Sequence, residues 1–232
     1  MYKQLPLAVG LRVDATFDNF YIAKGNQQAI SALQHFCSNS HEHFFFLSGP
    51  EGSGVTHLLQ AVQHAMAGQA IQFLPLKEFI HYPPSEVLSG LENLDLIVID
   101  DLHLVAEEED WELALFHLYN RLRDNGGQLI VGSHMTSREL PIELPDLKSR
   151  LQWGMTYQLQ TLNDLDKQQM LAQRATMLGL RLGEDVSQFI LNHCSRNTQK
   201  LIDLLQALDK ASLAQQRQLT IPFIKQVLFA SA

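Results

Sequence analysis

The chain has 232 residues, 46% hydrophobic content and a formal net charge of -8. That supplies a sizeable core and room for more than one domain. The acidic balance argues against strong non-specific DNA binding, which needs clustered lysine and arginine, while leaving room for a local basic patch. Two cysteines, Cys37 and Cys194, make no disulfide framework. With no signal-peptide pattern and no apolar run long enough for a bilayer, they predict a soluble, cytoplasmic chain with no membrane contact.

Residues 1–13 form an apolar, turn-prone lead with Pro6 and Gly10, expected to be flexible. Residues 26–38 carry Ala29, Ile30, Leu33 and Phe36 at helical spacing. Strands and helices then alternate. Strands are expected at 43–48, 70–74, 95–100, 128–133 and 156–160. Helices are expected at 55–67, at 77–90 with a break at Pro83-Pro84, at 107–124, and in pieces over 137–150. Alternation predicts an α/β domain whose mostly parallel sheet is covered on both faces. Leu96-Ile97-Val98-Ile99 and Leu129-Ile130-Val131 are continuous apolar runs, as central parallel strands require.

After residue 160 no strand is expected. Asn163 or Asp164 can cap a helix that runs to Met177 and stops at Gly179. Residues 184–194 and 197–216 give two more helices, and Thr220 can cap a last one with Pro222 in its first turn. The expected organisation is a segment 1–13, an α/β domain 14–160 and an all-helical module 161–232.

The first chemical motif follows the first strand. Residues 49–56, Gly-Pro-Glu-Gly-Ser-Gly-Val-Thr, fit the phosphate-loop pattern at Gly49, Gly54 and Thr56 and depart from it at Val55, where a lysine is expected. The glycines let backbone N–H groups turn inward, and the next helix aims its positive end at the same point. Pro50, Glu51, Gly52, Ser53, Gly54, Val55, Thr56 and His57 are therefore the expected diphosphate cradle. Thr56 can hold magnesium. Without the ammonium that reaches β- and γ-phosphates, efficient triphosphate hydrolysis is not expected.

The second motif is Leu96-Ile97-Val98-Ile99-Asp100-Asp101, an apolar strand ending in two carboxylates. The carboxyl end of a parallel strand faces the ligand crevice. One carboxylate there can bind magnesium and its neighbour can polarise water. Gly132-Ser133-His134 ends the next strand, and Ser133 or His134 can orient water or meet a phosphate. His41, His43, His57 and His64 have no metal-ligand spacing with the cysteines, so no metal other than magnesium is expected. Glu107-Glu108-Glu109-Asp110 suits a solvated helix start. Trp111 and Trp153 suit core or interface positions.

These motifs together resemble the AAA+ nucleotide-binding proteins, and more narrowly the DnaA replication-initiator family. Thr16-Phe17-Asp18-Asn19-Phe20 resembles that family's lead-in motif, followed by an Asn26-led helix and the loop ending Gly54-Val55-Thr56-His57-Leu58. Ile99-Asp100-Asp101-Leu102-His103 resembles its magnesium strand. Leu147-Lys148-Ser149-Arg150-Leu151-Gln152-Trp153-Gly154 is similar to the segment that carries its arginine finger. The chain stops after the helical module, where an initiator continues into a helix-turn-helix domain, and the segment between its second and third strands is shorter. Gln4-Leu5-Pro6-Leu7 resembles the core of sliding-clamp-binding peptides, although Ala8 sits where such peptides usually carry a bulky group. Together these departures are most similar to the Hda regulators within the DnaA family.

The resemblance implies an AAA+ fold, a five-stranded parallel sheet followed by a helical lid. It implies ADP or another nucleoside diphosphate as ligand, with Mg2+ at Thr56 and Asp100. It implies Asp101 at the catalytic-base position and Arg150 as a finger acting in trans. Tyr21 and Ile22 pack on the base. Gln199 stands where a lid arginine is expected, with Arg196 or Lys200 as substitutes. Gln4, Leu5 and Leu7 bind the clamp. The implied partners are the sliding clamp and the DnaA initiator, with DNA reached only through the clamp and a homodimer or oligomer open. The implied role is an adaptor that stimulates initiator ATP hydrolysis and so restrains re-initiation. The rival is an intrinsic ATPase acting as helicase loader or stand-alone initiator, which Val55 disfavours.

Overall fold

The computed structural model describes residues 15–38 and 42–230. The expected clamp-binding residues Gln4, Leu5 and Leu7 lie outside them. The chain divides into two compact units, Met1–Gln160 and Thr161–Ala232.

In the first unit, β1 (Phe44–Ser48), β2 (Ile71–Pro75), β3 (Leu96–Asp100), β4 (Gln128–Ser133) and β5 (Met155–Gln158) form one sheet in the order β2-β3-β4-β1-β5. Every pairing is parallel. The three inner strands are buried along their whole length, which the continuous apolar runs anticipate. Edge strand β5 instead alternates half-buried and exposed residues.

Side chains alternate between two cores. Phe44 and Phe46 pack with Ile97, Ile99, Leu129 and Val131 under α4 (Glu109–Asp124) and α5 (Pro145–Gln152). Phe45 and Leu47 pack with Val98 and Ile130 under α1 (Gln27–Ser38) and α2 (Val55–Ala65). Deleting one of these buried aromatics costs roughly 3–5 kcal/mol. Asn26, fully buried just before α1, ties that helix to the end of β5. Its amide donates to the Gln160 carbonyl at 3.0 Å and its Oδ1 accepts from the Gln160 N–H at 2.7 Å.

The 77–90 and 137–150 segments break up, as expected, and α4 starts two residues later than expected. The 77–90 segment reduces to α3 (Pro84–Val87) between 3-10 turns at Leu76–Glu78 and Leu91–Asn93. Pro83 and Pro84 lack the N–H groups that a longer helix needs. α4 starts at Glu109 because Glu107 adopts φ 70, outside the helical region. Over 137–150, only α5 forms as a regular helix.

The second unit holds α6 (Asp164–Met177), α7 (Glu184–His193), α8 (Thr198–Gln215) and α9 (Ile221–Ala230). Asn163 and Asp166 form a reciprocal capping box at α6. Gly179, at φ 73, ends it, with Leu180 N–H donating to the Ala175 carbonyl and Gly179 N–H to Thr176. Asn197 caps α8 by accepting from Lys200 N–H at 3.1 Å. Leu171, Ala175, Ile190, Leu201, Leu208, Phe223 and Ile224 make the core. Among the described residues, no helix is long and apolar enough to cross a membrane.

Candidate functional site

The parallel register aligns three strand ends. Ser48 of β1 lies opposite Ser133 of β4, and Ile99 of β3 lies opposite Val131 of β4. The glycine loop, the carboxylate pair and the β4 tip therefore gather at the carboxyl end of the sheet. Gly49 N–H donates to the Ser133 carbonyl at 3.1 Å and fixes the start of the loop on β4. Gly52 and Gly54 take φ 80 and 99, the left-handed region that lets the backbone turn its N–H groups inward. A Cβ on Gly54 would also meet the Phe20 ring at 2.6 Å.

Phe20 belongs to the lead-in segment, which is locked on itself and on α2. Thr16 N–H donates to Asn19 Oδ1 at 3.2 Å, and Asn19 N–H to Thr16 Oγ1 at 3.4 Å. His57 Nε2 lies 3.0 Å from the Thr16 carbonyl, and its ring is 5.4 Å from that of Phe20. His57, expected in the phosphate cradle, thus contacts the lead-in segment. Tyr21 is half-buried and Ile22 is 46% exposed, next along the chain from Phe20. Pro50 and Glu51 are exposed, Gly52 is half-buried, and Ser53 is buried with its Oγ lacking a hydrogen-bond partner.

Val55 is only 4% exposed and belongs to the α1–α2 core. A Cβ built on Gly132 would meet Leu59 Cδ1 at 2.4 Å, Asp100 Oδ1 at 2.9 Å and Val55 Cγ1 at 3.0 Å. The valine methyl and the Asp100 carboxylate therefore flank one glycine, and the apolar side chain fills space beside the acid.

Asp100 is buried, and the Thr56 hydroxyl hydrogen-bonds to it. Asp101 N–H donates to its Oδ1 at 2.9 Å, while Oδ2 is buried without a hydrogen-bond partner. Burial, then the neighbouring Asp101 charge, pushes the Asp100 carboxyl above its usual range. A buried acid with one unsatisfied oxygen beside a threonine hydroxyl fits Mg2+, a hard cation taking oxygen donors.

Asp101 takes φ 60 and starts a 3-10 turn, Leu102–Leu104. Its Oδ1 lies 4.0 Å from His134 Nε2. The His134 ring stacks on His103 at 4.5 Å, and His134 N–H points at His103 Nδ1 at 3.4 Å. Burial first, and then His134, lower the His103 pKa, against an opposing pull from Asp101. Ser133 is buried, and its Oγ accepts from Met135 N–H at 3.1 Å.

The bacterial DnaA ATPase domain matches residues 11–82 and 84–158, and the Hda lid domain matches residues 150–228. The chain belongs to the bacterial DnaA ATPase-domain family. Domain III of the Thermotoga maritima replication initiation protein DnaA superposes with a TM-score of 0.78 at 21% identity, covering 96% of this chain and 98% of that one. AMPPCP-bound DnaA from Aquifex aeolicus gives a TM-score of 0.74 at 21% identity, covering 88% and 67%. The Thermotoga maritima RuvB Holliday junction branch migration motor gives 0.69 at 16% identity, covering 93% and 72%. The first unit is thus a DnaA-type AAA+ domain, and the helical segment after it is similar to an Hda lid.

In this DnaA-type domain, Arg150 lies on α5, half-buried, with its guanidinium carbon 5.7 Å from the centroid of the Tyr119 ring. Tyr119 in turn packs edge-on against Phe44 at 5.5 Å. Among the described residues no carboxylate pairs with Arg150. Trp153, one residue beyond α5, is 72% exposed, whereas Trp111 is buried in the core. In the helical unit, Gln199 donates to Asp203 Oδ1 at 2.6 Å, and Arg196 pairs with Asp164 at 3.4 Å.

Glu112 is a residue that motif reasoning misses. It is 2% exposed and accepts backbone hydrogen bonds from Glu107, Glu143 and Leu144. The available signal was spacing: Glu112 lies three and seven residues before Leu115 and Tyr119, on the apolar stripe of α4.

Proposed function

We propose that this chain is a nucleotide-gated AAA+ adaptor that acts on a DnaA initiator rather than on its own nucleotide. The observation carrying this reading is the combination of a preformed phosphate loop with an apolar residue in place of its lysine. The positive-φ glycines, the partnerless Ser53 Oγ and the α2 N-terminus support binding of ADP or another nucleoside diphosphate. Thr56 and Asp100 would hold a magnesium ion, which would supply positive charge to offset that of the bound phosphates. Val55 supplies no charge for a γ-phosphate, so slow intrinsic turnover is expected.

Arg150 is the group offered to a partner. Held on the Tyr119 face without a neutralising carboxylate, it keeps its charge available for a phosphate in another subunit's site. An arginine supplied in trans accelerates related phosphoryl transfers by roughly 10³–10⁵. The Hda-lid match supports the regulator reading over the rival, an intrinsic ATPase serving as helicase loader or initiator. In this account the sliding clamp on DNA recruits the chain through Gln4, Leu5 and Leu7. The initiator's ATP is then hydrolysed and re-initiation is restrained in the cytoplasm.

The test is a sliding-clamp pull-down followed by an initiator-ATP hydrolysis assay on clamp-loaded DNA. Stimulation that needs the clamp, and is lost in a Gln4→Ala, Leu5→Ala double variant, is the expected result. Rapid ATP turnover by the chain alone would favour the rival.

A further inference from the structure

Asp101, His103 and His134 meet at the carboxyl ends of β3 and β4, where one ligand atom of each lies within 4.8 Å of those of the other two. We propose that these three side chains form a binding site for a divalent transition-metal ion, with Zn2+ as the probe. The site differs in kind from the Thr56–Asp100 pair. That pair offers hard oxygen donors, which suit Mg2+; two imidazole nitrogens and one carboxylate oxygen suit zinc and its neighbours. Three protein ligands also leave a fourth tetrahedral position for water or another donor.

The backbone builds this cluster from two separate strands. At φ 60, Asp101 turns the chain at the end of β3, and the 3-10 turn that follows places His103 beside it. The β3–β4 register brings His134 to the same point. His134 Nε2 is 4.0 Å from Asp101 Oδ1, and the imidazoles stack at 4.5 Å with 24° between their planes. Bonds of about 2.0–2.2 Å to one ion require these donors to draw closer, by side-chain rotation that unstacks the two imidazoles. Asp101 is nearly buried, with 10% of its side chain exposed, and anchors the ion from the protein side. His134, with 40% of its side chain exposed, leaves a path from solvent.

A metal held there would occupy Asp101, the carboxylate that the family resemblance puts at the catalytic-base position. Metal loading and base action by Asp101 are then mutually exclusive. This consequence rests on that resemblance; the metal site itself does not.

The experiment is a titration of the chelator-treated, nucleotide-free full chain with Zn2+ against a chromophoric competitor. One ion per chain at micromolar or tighter affinity is expected. His103→Ala and His134→Ala should each weaken binding by about tenfold or more, since even supporting groups around a metal carry about 10–100-fold. Circular dichroism checks that each variant folds, and Gln replaces Ala where it does not. Imidazole 15N NMR of the wild-type chain is an independent readout, expected to move the His103 and His134 signals first. Three results overturn the site: no binding below about 100 µM, less than a tenfold loss in either folded variant, or zinc-dependent shifts centred on other histidines.

Discussion

Glu112 accepts a hydrogen bond from the Leu144 N–H at 2.7 Å, joining α4 to the residue that caps α5. The same carboxylate takes Glu143 N–H at 3.1 Å and Glu107 N–H at 3.0 Å. One buried acid therefore satisfies three backbone donors and sets the start of the helix that carries Arg150. Removing it leaves three partly buried donors without that acceptor. Glu112→Ala is expected to lower unfolding free energy by about 3–4 kcal/mol, since each lost hydrogen bond to a charged group contributes roughly 1.5–3 kcal/mol and water reaches the more exposed donors. Glu112→Gln should fall between, because its amide keeps one acceptor oxygen. Urea denaturation checks both, and an Ala variant within about 1 kcal/mol of wild type would rule out this role for the carboxylate.

Val55 and Asp100 flank Gly132, and this sets the expectation for restoring a lysine. Val55→Lys replaces buried methyls with a chain whose ammonium must emerge near the Asp100 carboxylate. The stability cost is expected to be about 1–3 kcal/mol, as for other overpacked core sites. In wild type, calorimetry should find ADP binding more tightly than ATP. In the variant the ratio should shift toward ATP, because the ammonium can reach a γ-phosphate or neutralise Asp100. Clearly tighter ATP binding by the wild-type chain would refute the diphosphate reading.

Much of this arrangement is legible because its causes are local. Gly52 and Gly54 stand out since a loop that turns N–H groups inward needs positive φ. The inner strands stand out since burial on both faces demands unbroken apolar runs. Asn163 and Gly179 mark the ends of α6 because capping acts within a few residues. The rest depends on partners far apart in sequence. Glu112 is an ordinary helical acid until Glu143 and Leu144 arrive from another segment. His103 and His134 meet only through the β3–β4 register, which no spacing rule gives. In the 137–150 stretch α5 begins only at Pro145, after Glu143 and Leu144, whose N–H groups are tied to Glu112 of α4.

Asp100 sets the pH response of the ligand-free chain. Burial raises its carboxyl above the usual value, so the folded state holds that proton more tightly than the unfolded state. Its stabilising contribution is fully present below the unfolded value, near 3.8, and is lost as pH rises through the folded value. At neutral pH the unpaired charge is a cost. Asp100→Asn should therefore raise the Tm of the nucleotide-free chain at pH 7, with a smaller gain near pH 4. The same variant should lose any Mg2+ dependence of nucleotide binding. A fall in Tm at pH 7 would mean that the Thr56 and Asp101 contacts outweigh the burial cost.

Arg150 separates assembly from stimulation. Its guanidinium rests on Tyr119 at 5.7 Å, a contact worth roughly 0.5–1 kcal/mol at an exposed site, so its removal should leave the fold nearly unchanged. Arg150→Ala should still bind ADP and the sliding clamp, because neither proposed contact uses it. The partner initiator's hydrolysis should lose its acceleration, by about 10³ or more, because alanine cannot neutralise charge developing on the transferred phosphoryl group. Arg150→Lys should rescue poorly: an ammonium lacks the planar fork that grips two oxygens and stacks less well on an aromatic face. Tyr119→Leu tests whether the ring orients that fork. It keeps an apolar side chain against Phe44 but removes the cation–π face, and a partial loss of stimulation with intact ADP binding is expected. Full stimulation by Arg150→Ala would move the finger assignment to Arg138 or Arg196.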